Sequence, residues 1–224
     1  MVELLPAWCF NCRRFISRPC RSPSQYLCST CYGKLPFIDG PTCTHCGLEH
    51  GSGSCSNSWA KDIESFHGIF YYQDPIHAWI VNLKYSAGLF AGRILRGFVN
   101  TWFTENTAAI RSLDAVLPVP IHPLRLRQRG FNQTALLLKS QRVLPLKTGL
   151  LKKQRFTSQQ AGLTGLQRRD NIKGSFTATP SLHSKNVLLF DDVCTTGQTL
   201  GEICSCLKKV GVGQIHILTL SRSM

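Results

Sequence analysis

Apolar and polar residues follow a regular pattern only after about residue 62. From there on, apolar runs of strand length alternate with stretches in which apolar residues recur every three or four positions. The pattern predicts strands at residues 64–72, 115–120, 186–190 and 214–220, and helices at 75–85, 91–110, 131–141 and 197–210. Such alternation is typical of a mostly parallel sheet with helices on both faces. We therefore predict an α/β domain over residues 63–224.

Residues 1–62 lack this periodicity and hold eight of the eleven cysteines among many Pro, Ser and Gly residues. A segment of this composition cannot build a sizeable apolar core and usually folds around a metal. Two Cys-x-x-Cys pairs lie fifteen residues apart, which is the spacing of a zinc ribbon. We predict a small zinc-binding module over residues 1–62, with one structural zinc bound by Cys9, Cys12, Cys28 and Cys31.

A second, less complete group of potential metal ligands follows within the same segment. It consists of Cys43, Cys46 and Cys55. Ser58 stands where a fourth cysteine would complete the pattern. Either His45 or His50 supplies the missing ligand of a second zinc, or the site has lost its metal. The sequence leaves these alternatives open.

The chain is strongly basic, with 26 Lys and Arg against 12 Asp and Glu among 224 residues. Between residues 121 and 173 there are twelve basic residues and a single acid. Such a block favours a polyanionic partner, either nucleic acid or a phosphate-rich small molecule, over a merely solvated surface. No apolar run reaches the roughly 18 residues of a membrane span, and no secretory signal is recognisable. We therefore expect a cytoplasmic protein.

The stretch LLFDDVCTTGQTL (188–200) places two acids between an apolar strand and a helix. In open parallel sheets ligands bind at the carboxyl ends of strands, and a helix N-terminus attracts phosphate. Gly197 would let the backbone approach the anion, while the hydroxyls of Thr195, Thr196 and Thr199 would donate to it. Carboxylates would repel phosphate, so Asp191 and Asp192 are expected to face sugar hydroxyls or Mg²⁺. These features together predict a site for a phosphorylated sugar.

Three stretches resemble known families. The segment VLLFDDVCTTGQT (187–199) resembles the ribose-phosphate motif of phosphoribosyltransferases. The segments PVPIHPLRLRQRGFNQ (118–133) and RFTSQQAGLTGLQRRDNIKGSF (155–176), with the N-terminal cysteine pairs, resemble ComF-type competence proteins, which include the GntX group. The likeness runs over nearly the whole chain. It implies a type I phosphoribosyltransferase-like domain preceded by a zinc module, with a role in natural transformation.

The resemblance also implies roles for individual residues. Asp191 and Asp192 would be catalytic, and phosphoribosyl pyrophosphate would bind with Mg²⁺. The phosphoribosyl-binding set would be Asp191, Asp192, Thr195, Thr196, Gly197, Gln198 and Thr199. The residues agree with the resemblance: the loop after Val119-Pro120 lies at the carboxyl edge, where Arg125, Arg127 and Arg129 could face the pyrophosphate, with Arg125 and Arg129 as the main candidates. Residues 152–175, which mix Gly, Thr, Gln and basic side chains, are expected to form a mobile flap. Lys84, Lys152, Lys153 and Arg155 are further candidates without assigned roles.

The chain contains no residue set that we can assign to an acceptor or nucleobase. Three hypotheses therefore stay open. The protein is a phosphoribosyltransferase with an unidentified acceptor, or a binding module that senses a phosphoribosyl ligand during DNA uptake. Alternatively, it is a non-catalytic zinc-ribbon protein that binds single-stranded DNA or other competence proteins, and its sugar-phosphate pocket is a relic.

Overall fold

A computed structural model describes residues 7–16, 24–49, 55–85, 88–156 and 172–224 of the chain. Within these residues a four-stranded sheet has the order β3–β8–β7–β4, and all of its neighbouring strands are parallel. Two antiparallel strand pairs, β1–β2 and β5–β6, lie outside it. The strands are β1 (Ala7–Trp8), β2 (Phe15–Ile16), β3 (Ser65–Tyr71), β4 (Ala115–Pro118), β5 (Leu151–Lys153), β6 (Phe176–Ala178), β7 (Val187–Cys194) and β8 (Ile215–Arg222).

Helices connect the strands of the parallel sheet, as the alternating pattern predicts. In chain order they are α1 (Ser29–Tyr32), α2 (Ile76–Tyr85), α3 (Leu89–Glu105), α4 (Thr107–Ile110), α5 (Pro123–Arg129), α6 (Gln133–Leu138) and α7 (Gln198–Lys209). The predicted parallel α/β fold is therefore confirmed. No helix among the described residues is both long enough and apolar enough to cross a bilayer.

The core consists of two apolar layers, one on each face of the sheet. Along β7, Leu188 and Phe190 pack into the layer that contains α2 and α3, whereas Val187 and Leu189 pack into the layer that contains α7. Neighbouring residues on a strand point to opposite faces, so an uninterrupted apolar run suits a strand that is covered on both sides. The polar continuation of β7 must therefore also be divided between the two faces.

The cysteine-rich segment contributes to both layers, since Cys46 and Ala60 are buried in the layer that contains α7. Cys9, Leu27 and Cys31 are buried in the same apolar cluster as Phe70 of β3 and Trp79 of α2. Aromatic side chains of both parts contact each other there. The change of pattern near residue 62 therefore marks a boundary in the sequence across which the core is continuous.

Two regions differ from the sequence-based expectation. Residues 123–129, to which the apolar pattern assigns no element, form α5, which begins at Pro123 and is capped by the His122 ring. Strand β7 continues through both aspartates to Cys194 instead of ending before them. The expected flap at 152–175 includes β5 at its start, but residues 157–171 lie outside the described part of the chain.

Candidate active site

The candidate site lies where β7 ends at the carboxyl edge of the sheet. Residues 195–197, which we term the threonine loop, connect β7 to α7. The side chains of Thr195 and Thr196 are exposed, while Gly197 is buried and has a φ of 74°. This left-handed backbone favours glycine and turns the chain into the first turn of α7, whose N–H groups are directed toward the same edge. The loop thus offers exposed hydroxyl and N–H donors.

Asp192 forms an ion pair with a lysine that is distant from it in the sequence. The Nζ atom of Lys84, at the end of α2, lies 2.7 Å from Oδ2 of Asp192, and both side chains are largely buried. Burial disfavours the charge of Lys84, but the Asp192 carboxylate outweighs this effect and raises the pKa of Lys84. The pair therefore fixes the carboxyl group of Asp192 beside a cation near the end of β7. Lys84 has no role that the sequence assigns, because nothing in the sequence shows that it contacts Asp192.

Asp191 occupies a different environment on the other face of β7. Its Oδ1 atom accepts a hydrogen bond of 2.9 Å from the N–H of Asp192. Burial, together with the neighbouring Asp192 carboxylate, raises the pKa of Asp191 well above its ordinary value. The two aspartates therefore differ in direction and in surroundings.

Lys153 and Arg125 supply positive charge on the Asp191 side. Burial, and then the nearby charge of Arg125, lower the pKa of Lys153 to about 8, while Asp191 opposes this shift. The Nζ atom of Lys153 lies 5.3 Å from the ring centre of Phe176, and the guanidinium of Arg125 lies 5.7 Å from that of Phe156. Strand β5 and helix α5 therefore each place one cation on the Asp191 side of the acidic pair.

Arg129 lies on the same face of α5 as Arg125, four residues further along. Its guanidinium lies 5.6 Å from the ring centre of Tyr85, next in the chain to Lys84, and donates to Gln133 of α6. Arg127 projects from α5 into solvent. The structure thus brings Arg125 to Lys153 and Arg129 to the end of α2, so the two arginines extend toward different sides of the acidic pair.

Trp59, from the cysteine-rich segment, packs against the threonine loop. A Cβ atom added to Gly197 would lie 2.1 Å from the Trp59 ring, and one added to Gly201 would lie 2.7 Å from the Trp59 Cβ. Sequence analysis attributed Gly197 to the approach of an anion. The structure gives two other reasons for this glycine, namely its positive φ and its contact with the indole. Such a long-range contact leaves no local signal in the sequence.

The first cysteine cluster (Cys9, Cys12, Cys28 and Cys31) is assembled as the spacing predicts. The four Sγ atoms lie within 4.8 Å of one another. The N–H of Cys28 donates to Sγ of Cys9 at 3.3 Å. Burial raises the pKa of Cys9, but backbone N–H donors, including that of Cys12, lower it to about 6 overall. Four converging sulfurs with N–H donors fit a tetrahedral structural zinc.

The second cysteine cluster (Cys43, Cys46 and Cys55) also brings its three Sγ atoms within 4.8 Å of one another. His45 is not part of this group, because its Nδ1 atom lies 2.8 Å from the carbonyl of Ile63. His50, the other candidate, lies outside the described residues. The cluster therefore offers three thiolates to a metal, a donor set that suits soft or borderline ions such as zinc.

Comparisons with known proteins show which families and structures the chain is similar to. A family model described as "Phosphoribosyl transferase domain" matches residues 134–224. A hypoxanthine phosphoribosyltransferase from Staphylococcus aureus aligns with 57% of this chain and 62% of its own, at 16% identity and a TM-score of 0.38. The alignment with a purine phosphoribosyltransferase from Pyrococcus horikoshii covers 55% of this chain and 82% of that enzyme, at 21% identity and a TM-score of 0.32.

Three curated relatives match nearly the whole chain. DNA utilization protein YhgH of Escherichia coli K12 is 25% identical and covers 98% of this chain and 99% of its own. Competence protein ComFC of Streptococcus pneumoniae is 24% identical and covers 90% of both chains. Competence protein F of Haemophilus influenzae is 31% identical over 241 residues and covers 100% of both chains. With its threonine loop and its paired cysteines, the chain belongs to the family of competence protein F.

Proposed function

We propose that the chain binds phosphoribosyl pyrophosphate with Mg²⁺ at the carboxyl edge of the sheet and acts as a phosphoribosyltransferase with an unidentified acceptor. The observation that carries this proposal is the placement of the threonine loop beside the acidic pair Asp191–Asp192, flanked by Lys84 and Lys153. A phosphorylated sugar needs this combination, because its phosphate and its diol require opposite kinds of partner.

Each part of the ligand has a matching group in the chain. Exposed Thr195 and Thr196, with the N–H groups at the start of α7, would bind the 5-phosphate. Asp192, which pairs with Lys84, would accept hydrogen bonds from the ribose hydroxyls. Gln198 and Thr199, both partly buried in the first turn of α7, would complete the phosphoribosyl site.

Magnesium is expected to bind through one or two carboxylates together with substrate phosphates, and the Asp191–Asp192 pair supplies oxygen donors of this kind. When bound, Mg²⁺ would neutralise charge on the pyrophosphate. Arg125 and Lys153, which lie together beside Asp191, would add positive charge on the same side. In the transfer, the bond from ribose C1 to the pyrophosphate oxygen breaks, and C1 bonds to the acceptor's nucleophilic atom. The cations would stabilise the departing pyrophosphate.

The biological setting follows from the relatives' names. Two of them are competence proteins, and another is a DNA utilization protein. Family membership supports a role in competence for this chain as well. We propose that the phosphoribosyl site serves natural transformation, in the uptake and processing of DNA.

Titration calorimetry with phosphoribosyl pyrophosphate and Mg²⁺ tests the binding proposal. Asp192→Ala and Thr196→Val should each weaken binding at least tenfold, because a hydrogen bond to a charged group contributes roughly 1.5–3 kcal/mol. Thr104→Val, at an exposed position of α3, is the matched control and should bind like the parent chain. Equal affinity of all variants, or no binding by the parent chain, would overturn the proposal. Release of pyrophosphate in a screen of acceptors then tests transfer.

One observation favours a second activity, the binding of single-stranded DNA. On the β1–β2 ribbon, Trp8 is 62% exposed and Phe15 is 54% exposed, and the two rings pack edge to face 6.0 Å apart. Arg13 and Arg14 are exposed on the intervening turn. Aromatic rings beside cations form the usual platform for unpaired bases, and stacking contributes about 1–3 kcal/mol per base.

Fluorescence anisotropy with a labelled oligothymidine tests this second activity. Affinity should fall with rising salt and should fall at least fivefold in Trp8→Ala, whereas Asp192→Ala should bind the oligonucleotide normally. If Trp8→Ala binds as tightly as the parent chain, the ribbon is not the DNA-binding surface. The two assays therefore separate the ligand site from the nucleic-acid surface.

A further inference from the structure

Arg222, at the end of β8, is a buried cation that contacts both the threonine loop and the second cysteine cluster. Its side chain is 2% exposed. Its Nε atom donates to the carbonyl of Cys46 at 3.0 Å, and its Nη1 atom donates to the carbonyl of Cys194 at 3.0 Å and also to that of Thr195. No carboxylate within the described part of the chain forms an ion pair with Arg222. Backbone carbonyls alone therefore balance its charge.

These contacts determine the direction of the loop's N–H groups. In a planar trans peptide the N–H points away from the C=O of the same unit. Because the carbonyls of Cys194 and Thr195 point toward Arg222, the N–H groups of Thr195 and Thr196 point away from it. Neither N–H donates to any backbone carbonyl within the described residues. Arg222 thus holds two polarised donors in position for an external anion, and its buried charge favours that anion further.

The same loop is held from the other side by the cysteine-rich segment. Cys46, whose carbonyl accepts from Arg222, belongs to the second cysteine cluster. Trp59 follows Cys55 of that cluster by four residues and covers Gly197 and Gly201. Two independent contacts therefore connect this cluster to the loop.

We propose that Arg222 is a positioning residue of the threonine loop and couples it to the second cysteine cluster. A metal ion bound by Cys43, Cys46 and Cys55 fixes the position of the Cys46 carbonyl. That carbonyl accepts from Arg222 and so fixes the guanidinium, and the guanidinium orients the N–H donors of Thr195 and Thr196. Metal binding and anion binding therefore strengthen each other, and the coupling must be equal in both directions. This inference rests on the proposed function for the identity of the anion.

The test is a linkage measurement on the full chain, which needs no variant. Co²⁺ bound to thiolates absorbs visible light, so its transfer from the protein to a chelator can be followed directly. Phosphoribosyl pyrophosphate should strengthen Co²⁺ binding at the second cysteine cluster at least fivefold. Conversely, Co²⁺ at this cluster should lower the dissociation constant of phosphoribosyl pyrophosphate by the same factor. Cys55→Ser, which retains the first cysteine cluster, identifies the signal of the second.

Arg222→Lys provides a second measurement, since lysine retains the charge but cannot contact Cys46 and the loop with a planar fork. This variant should bind the metal yet lose the coupling. If Arg222→Lys does not fold, the linkage in the parent chain decides alone. Binding of phosphoribosyl pyrophosphate that is unaffected by the metal would overturn this inference and leave the proposed function intact. Failure of the parent chain to bind either phosphoribosyl pyrophosphate or inorganic phosphate would overturn both.

Discussion

Raising the pH from 7 to 9 should remove the proton from Lys153 and weaken anion binding at the sheet edge. Burial and the charge of Arg125 lower the pKa of Lys153 to about 8 in the ligand-free chain. At pH 9 about one molecule in ten retains the proton, so the dissociation constant of phosphoribosyl pyrophosphate should be about tenfold higher than at pH 7. The second ionisation of a phosphate group has a pKa of about 6, so the ligand's phosphates are mostly ionised over this range and add little pH dependence.

Ligand binding should also draw a proton into the site at pH 8, because the anion stabilises the charged form of Lys153. Calorimetric titrations at this pH, in buffers with different ionisation enthalpies, measure that uptake. Lys153→Arg should remove both the proton uptake and the pH dependence, because arginine remains charged throughout. Lys152→Arg, at the exposed neighbouring position, is the matched control and should keep the parent profile.

Stability of the ligand-free chain should change with pH in the opposite direction. The folded pKa of Lys153 is lower than the unfolded value, so the unfolded chain binds more protons between about pH 8 and the ordinary lysine pKa of roughly 10.4. The contribution of Lys153 to the free energy of unfolding therefore increases as the pH rises through this window. An affinity that stays constant from pH 7 to 9, or a Lys153→Arg profile identical to that of the parent chain, would refute the reasoning.

Three further predictions concern stability and metal content. Lys84→Met leaves a buried carboxyl group without its cation and should reduce the free energy of unfolding by about 3–5 kcal/mol in urea titrations. The control is Lys185→Met, which breaks an exposed ion pair and should reduce the free energy of unfolding by less than about 1 kcal/mol. Cys12→Ser should reduce the zinc content by one ion per chain in metal analysis and unfold the N-terminal segment, since structural zinc contributes on the order of 10 kcal/mol. Gly201→Ala should lower the melting temperature through a clash with Trp59, equivalent to about 1–3 kcal/mol, and an unchanged melting temperature would contradict the packing described here.

The pattern of apolar residues was sufficient to predict most of the sheet and its helices. It succeeded because β4, β7 and β8 are buried along nearly their whole length, which requires continuous apolar runs such as that of β7. It failed for α5, which has no buried residue and depends on a proline start and the His122 cap. That helix depends on contacts at its first turn, and a basic stretch without apolar periodicity does not indicate a helix.

Part of the candidate site was also predictable, because that part consists of residues that are adjacent in the sequence. Its donors and acids are contiguous in the sequence, so the strand–loop–helix motif shows them together. The groups that complete the site, Lys84, Lys153 and Trp59, come from distant segments and meet it only in the folded chain. Asp191 and Asp192 face different surroundings because neighbouring residues on a strand point to opposite faces, and this rule is local.

The order of strands in the sheet has a consequence for synthesis of the chain. Strand β3 is the first of the four in the sequence, but within the sheet it pairs only with β8, the last of them. A ribosome that has released β3, β4 and β7 has therefore produced a chain in which β3 lacks its neighbour in the sheet and its apolar residues have no complete layer. Pairing between such distant segments is slow, and the exposed strand can meet other nascent chains before β8 emerges. We expect chaperones that protect nascent strands to raise the yield of this protein more than they raise the yield of a protein whose neighbouring strands are consecutive.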